Sequence, residues 1–229
     1  MSLTRLASIR RYPVKGFGAQ ELSETDLQPG QGIPFDRCLA ITNGERAIAR
    51  GEEWTPCQAF VRLTKNPDLP GYGLAFDEAA NTATLLGPDG RAVALHDEGT
   101  GGTEKALAGW FAPGPFGPPR AVARSRSGGA GYWDHEDAAL SIINLATVAT
   151  LERSAGRPIN PMRFRANLYV AGLPPFQELA FIGRLVRVGE VVLEVLRPTD
   201  RCRATSVDPA TGDTSLNVPA LLARTQGHI

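Results

Sequence analysis

Residues 185–196 read LVRVGEVVLEVL. Val191, Leu193 and Val195 alternate with Val192 and Glu194, the period-two pattern of a strand with one face partly buried. Gly189 with Glu190 separates this run from 185–188, and the leading glycine suits the positive φ of a type II′ turn. The segment therefore reads as an antiparallel hairpin, and it sets the expectation for the rest of the chain. The 25 glycines and 18 prolines fall between short apolar runs, as in a protein of many strands and tight turns.

Working outward, Gly87, Pro88, Asp89 and Gly90 mark a second antiparallel hairpin between 82–86 and 91–95. Further strands are expected at 37–42, 60–64 and 167–170. Helices are fewer. Asn144 can cap one whose apolar positions Leu145, Val148 and Leu151 recur at helical spacing, and Gly156 with Pro158 supplies its stop. A shorter helix is expected over 103–111, with Leu107, Trp110 and Phe111 on one face and Pro113 ending it. The stretch 113–131, with its prolines and then Ser125, Ser127, Gly128 and Gly129, reads as a linker between residues 1–120 and 121–229. The expected fold class is predominantly β with a few helices (α+β).

Composition excludes several functions. Lys plus Arg and Asp plus Glu balance at 24 each, and no cationic stripe suggests a nucleic-acid partner. No run approaches the ~18 apolar residues of a membrane span. Residues 1–10 lack a secretory pattern, so a cytoplasmic location is expected. Cys38, Cys57 and Cys202 are odd in number, widely separated and without zinc spacing, which fits a reducing compartment. His96, His135 and His228 stand apart and read as surface or internally satisfied histidines.

The richest segment is 198–212, PTDRCRATSVDPATG, which follows the last strand and ends in a turn. An isolated cysteine is usually a small buried hydrophobe. Arg201 and Arg203 flank Cys202, however, and two cations beside a sulfur suit a thiolate. Such a thiolate can attack a substrate, with a distant His135 as its base, or bind a soft metal whose other ligands come from elsewhere. Asp208 can orient the loop or accept a proton, and Asp-Pro followed by Thr-Gly is also an ordinary turn sequence.

Four segments together resemble a known family. Arg201, Cys202, Thr205, Val207, Asp208, Pro209, Thr211 and Gly212 are similar to the cysteine motif of MOSC-domain proteins. Tyr12, Pro13, Val14, Lys15 and Gly16 resemble the opening of the β-barrel domain that precedes MOSC in the amidoxime-reducing branch, and Asp36 with Arg37 resembles that domain's next marker. Arg163, Phe164, Arg165, Ala166 and Asn167 resemble a further segment, with Ala166 in place of the usual proline. The resemblance implies a β-rich amino-terminal domain packed on a MOSC β-barrel, with a molybdenum-molybdopterin cofactor in the cleft between them.

The implied roles are specific. Cys202 would be the metal ligand and a catalytic residue, with Asp208 as a second catalytic residue. Lys15, Arg37 and Arg165 would hold the cofactor's phosphate. Gly16, where relatives often have serine, would offer only its amide. Asn167, Asp137 and Ala138 would line the pterin, with Asp200 and Arg201 beside the metal. The implied reaction is reductive removal of oxygen from small N-hydroxylated compounds. No cysteine follows Cys202 to ligate an iron–sulfur cluster, so a separate reductase or ferredoxin is expected. The alternatives are a sulfur carrier holding a Cys202 persulfide and a non-catalytic cofactor-binding module; pyridoxal phosphate binding is a further family-level association. Relatives continue with another strand or two past the region equivalent to 220–228, so the barrel is expected to close differently here or the chain to be truncated.

Overall fold

The computed structural model describes residues 3–48, 53–95, 101–124, 131–137 and 139–226. In chain order the elements are β1 (Arg5–Arg11), β2 (Gln20–Leu22), β3 (Leu39–Ile41), β4 (Gly73–Asp77), β5 (Thr82–Leu86), β6 (Ala92–Leu95), α1 (Gly101–Trp110), β7 (Ala121–Ala123), β8 (Ile142–Asn144), α2 (Leu145–Ala155), β9 (Leu168–Ala171), β10 (Leu185–Val188), β11 (Val191–Glu194) and α3 (Val218–Gln226). The architecture is mixed α+β and mostly β. The strands form four separate sheets, and no closed barrel is present among the described residues.

Both expected hairpins form, as β5–β6 and β10–β11, each antiparallel. Gly189 has φ of 60° while Glu190 stays out of the positive region, as a type II′ turn requires. The residues facing outward from β10–β11 are Leu185, Arg187, Val192 and Glu194, with Leu185 71% exposed. β4 pairs with β5 and completes a three-stranded sheet whose inner residues Ala83, Leu85, Val93 and Leu95 are buried against α1 residues Leu107 and Trp110.

Helix α2 follows its local chemistry. The Asn144 side chain accepts from the Ala146 amide, and Gly156 ends the helix in the left-handed conformation. Its buried Val148 and Leu151 meet Val218 and Leu221 of α3 in a second core.

Four expectations need correction. The strand expected at 37–42 begins only at Leu39, because Arg37 has a left-handed backbone with φ of 54°. At 60–64 only Phe60 bridges, to Thr42, before the chain turns through Arg62, whose carbonyl accepts from Lys65 and Asn66. The stretch read as a linker contains β7, antiparallel to β3 of the amino-terminal half. The expected MOSC barrel does not close, since β10–β11 pairs with no other strand among the described residues.

Strand β1 determines where the site lies. It sits between β2 and β9, antiparallel to both, and β9 pairs in parallel with β8. The first strand of the chain thus lies inside a sheet with two strands from the other half. Arg10 and Asn167 exchange bonds at the junction: the Arg10 amide donates to the Asn167 carbonyl at 2.7 Å, and the Asn167 amide side chain donates to the Arg10 carbonyl at 3.1 Å.

Candidate cofactor and thiol site

Where β1 ends, Tyr12 becomes the centre of a cationic cluster. The β1–β9 pairing brings the segment before β9 beside it, and the Tyr12 hydroxyl donates to the Ala166 carbonyl at 3.2 Å. The segment before β3 pairs from another side: the Arg37 amide donates to the Tyr12 carbonyl at 2.7 Å, and the Asp36 carboxylate accepts from the Tyr12 amide at 2.7 Å. The guanidinium carbons of Arg165 and Arg37 lie 4.4 and 4.8 Å from the centroid of the Tyr12 ring. Both arginines have left-handed backbones, Arg165 with φ of 50°, an unfavourable conformation costing about 1–2 kcal/mol that concentrates at functional sites.

The cysteine segment is tied to the same place. Arg201 donates to the Phe164 carbonyl at 3.2 Å and stacks on the Phe164 ring. Arg163 donates to the Ser206 carbonyl at 2.5 Å and to Asp208 at 2.7 Å. Its side chain is only 1% exposed. All four motifs therefore meet in space. Cys202 lies at the start of a short 3-10 turn, Arg203–Ser206, and is exposed.

The charges in this cluster are not all compensated. Arg37 pairs with Asp36, and Lys15 pairs with Asp134 while also donating to the Tyr132 carbonyl at 2.7 Å. Arg165 donates to the Phe17 carbonyl at 2.7 Å and Arg201 to Phe164, but neither has a carboxylate partner among the described residues. Burial pushes the pKa of Arg165 down, with the like charge of Arg37 adding to it, and burial does the same for Arg201. Burial also lowers the pKa of Lys15, against the pull of Asp134. For Arg37, burial is outweighed by Asp36, Tyr12 and Asp134, which hold the guanidinium charged.

Asp134 shows a pH dependence with a definite sign. Loss of hydration works against its charged form, but Lys15 outweighs this, with Arg37 and Arg165 beyond, so its pKa lies below the ordinary value. Its stabilising contribution is then present above about pH 4, the unfolded carboxylate value, and is lost as pH falls through the folded value. The side chain is 69% exposed, so solvent screens the pair. Thermal melts between about pH 6 and pH 3 should show part of the acid loss of stability disappearing in Asp134→Asn. Identical acid profiles for the two proteins would remove Lys15–Asp134 as a linked pair.

Other anticipated residues have different roles. Asn167 is 2% exposed, and its side-chain oxygen accepts from the amide and the hydroxyl of Ser141, both at 3.2 Å. It braces the strand junction, with its side chain bonded to Ser141 and to the Arg10 carbonyl. One Asp208 oxygen accepts from Arg163 and the other from the amides of Ala210 and Thr211, so this carboxylate anchors the loop. Gly16 has φ of 89°, and a Cβ there would stand 3.0 Å from the Val61 carbonyl, so the turn requires glycine. Asp200 is exposed. Asp137 pairs with Arg197 at 2.7 Å and lines a cavity of about 280 Å³ with Trp54, Asp134, His135 and Glu136. Ala138, His96 and His228 lie outside the described residues.

Several site residues carried no signal of their own in the sequence. Tyr12 and Arg163 lay inside the quoted motifs without an assigned part, and Asp134 and Tyr132 sit in a dense aromatic and acidic run, 132–137, whose partner is 117 residues away. Cys57 is the other addition. It is partly buried and near enough for the Cys202 sulfur to act on its titration. Burial pushes the Cys57 thiol up, as do Asp134 and Cys202, while Lys15 and Arg62 oppose them. Cys38, by contrast, is buried and pushed up to about 12 by loss of hydration.

Residues 115–228 match the profile of the MOSC domain. The chain carries a MOSC domain. A segment of 95 aligned residues, 38% of this chain, is 34% identical to the molybdenum cofactor sulfurase of Drosophila grimshawi. The match takes in 12% of that protein's length. The MOSC segment contains Arg163, Arg165, Arg201 and Cys202, whereas Tyr12, Lys15 and Arg37 come from the sequence before it. These similarities connect the chain with molybdenum cofactor biochemistry; neither speaks to pyridoxal phosphate or to an oxidoreductase reaction. Among the described residues no helix is long and apolar enough to cross a membrane.

Proposed function

We propose that this chain binds the molybdenum cofactor over the Tyr12 cluster, with Cys202 as the protein's ligand to the metal, and works as an oxidoreductase on N-hydroxylated compounds. The observation that carries this reading is the pair of partly buried guanidiniums, Arg165 and Arg201, neither in an ion pair among the described residues, in the segments that also hold an exposed thiol. Partly desolvated cations without a direct ion pair are unfavourable, and an anionic group seated on them offsets that cost. Among the described residues no three His, Cys, Asp or Glu side chains are arranged to hold a metal by themselves. A metal at Cys202 must then arrive with donors of its own, as a pterin dithiolene provides.

The chain's residues would divide the work. Arg165 and Arg201 hold the anionic part of the cofactor by charge-assisted hydrogen bonds. Lys15 can exchange its exposed partner Asp134 for a phosphate. Arg163 and Asp208 fix the loop from which Cys202 projects. When bound, the cofactor supplies two-electron redox chemistry. Removal of one oxygen as water consumes two protons from solvent and two electrons, which a separate reductase or ferredoxin would replenish.

Elemental analysis of protein made in cells that synthesise the cofactor tests this proposal. Near-stoichiometric molybdenum is expected in the wild type and markedly less in Cys202→Ser. Equal metal in both would reject Cys202 as the ligand. The similarity to a molybdenum cofactor sulfurase favours a second reading, a carrier of a Cys202 persulfide. Cyanide-releasable sulfur on molybdenum-free protein would select the carrier.

A further inference from the structure

We propose that the β10–β11 hairpin is the surface by which two copies of this chain pair face to face. No residue of 182–197 is buried, and none belongs to a hydrophobic core. The hairpin pairs with no other strand among the described residues. A two-stranded hairpin alone is at best marginally stable in water and gains stability when an apolar face is covered. Its outward face is such a face: Leu185, Val192 and Leu196, the last continuing the alternation past β11, are 71%, 50% and 52% exposed. Exposed apolar side chains grouped within a charged rim, here Arg187 and Glu194, mark a protein contact.

The charge pattern identifies the occupant as a second copy. The register Leu185 to Glu194 and Arg187 to Val192 sets these four residues at the corners of a rectangle, with the charges on one diagonal and the apolar pair on the other. Neither Arg187 nor Glu194 is in an ion pair among the described residues. A two-fold axis along the apolar diagonal lays Leu185 on Leu185 and Val192 on Val192, and brings each Arg187 within reach of the other copy's Glu194. With ~4.8 Å between strands and ~3.4 Å per residue along them, the hairpins cross at roughly 70°, near the orthogonal mode of sheet packing. The contact matches both charges twice and closes at two copies. Edge pairing offers no such match. Joining β11 to β11 gathers both Glu194 carboxylates at one seam, and joining β10 to β10 gathers both Arg187 guanidiniums, like charges that oppose either arrangement. Joining β10 to β11 leaves the outer edges free and goes on growing.

Sedimentation equilibrium of the purified full chain tests the proposal. The wild type is expected at twice the 24.4 kDa mass of the chain. Arg187→Glu and Glu194→Arg should each raise the dimer dissociation constant about tenfold or more, because each creates two like-charge contacts per dimer. Both side chains are exposed, so the changes leave the fold intact, which circular dichroism checks. Mixing the two single variants should restore dimers, as mixed pairs in which opposite charges again face each other, and the double variant should dimerise by itself. A wild type that stays monomeric up to its solubility limit, as when another segment or a different protein covers the face, overturns the proposal. So does assembly beyond two copies, single reversals that dimerise like the wild type, or a mixture no more dimeric than its components. None of these readouts depends on molybdenum, so failure here is distinct from failure of the cofactor assignment.

Discussion

Replacing Arg163 by leucine is expected to lower the melting temperature by on the order of 10 °C, with the loss concentrated in the cysteine loop. The reason is the depth of the ion pair. The Arg163 side chain is 1% exposed and Asp208 20% exposed, and the guanidinium also serves the Ser206 carbonyl. Breaking a buried pair by removing one member costs about 3–5 kcal/mol, far more than an exposed pair is worth. Asp208 would keep the amides of Ala210 and Thr211, so the turn itself should survive while its attachment to 161–167 is lost. Pairing Arg163→Leu with Asp208→Asn should cost less than the sum of the single changes, because no uncompensated charge then remains. Denaturant melts and limited proteolysis of 203–212 provide the measurements. A single variant melting within about 2 °C of the wild type would show that Arg163 does not hold the loop.

The second large effect separates binding from stability. In Arg165→Met, retention of the molybdenum cofactor should fall about 30-fold or more, as when a buried charge partner worth over 2 kcal/mol is removed. Cofactor-free protein should nevertheless stay within about 1 kcal/mol of the wild type. Loss of the Phe17 hydrogen bond and the Tyr12 stacking is set against relief of the repulsion from Arg37 and of the guanidinium's partial desolvation. Methionine preserves the apolar stem over the ring. Dialysis followed by metal analysis gives the first quantity and denaturant unfolding the second. A fall in stability with cofactor retention unchanged would make Arg165 a structural residue and remove the anion site.

What could be read in the sequence was local. The turn at Gly189, the cap at Asn144 and the stop at Gly156 are each dictated by neighbouring residues, and the structure reproduces all three. Strand β1 escaped notice because its register shifts between Leu6 and Ser8, which breaks the alternation on which such a reading relies. Helix α3 was legible in principle: Asn217 caps it through the Ala220 amide, and Val218 and Leu221 are buried at helical spacing. Strand β7 was hidden by the prolines before it. At the site, motif order pointed to Lys15, Arg37, Arg165 and Cys202 as a group. The pairing of Lys15 with Asp134, and the pairing of Arg163 with Asp208 that occupies a supposed proton acceptor, depend on contacts between distant segments and had no local signature.

The seating of β1 inside a sheet shared with β8 and β9 bears on how the polypeptide is made. Asn167 follows Arg10 by 157 positions, so β1, paired early with β2, is synthesised long before β9, its neighbour on the other side. Until then Tyr12 has no arginine pair to cover it from the later segment, and β1 offers an unpaired edge to other nascent chains. A fragment starting at residue 115 would have the complementary defect, with β9 open on the side that β1 normally closes.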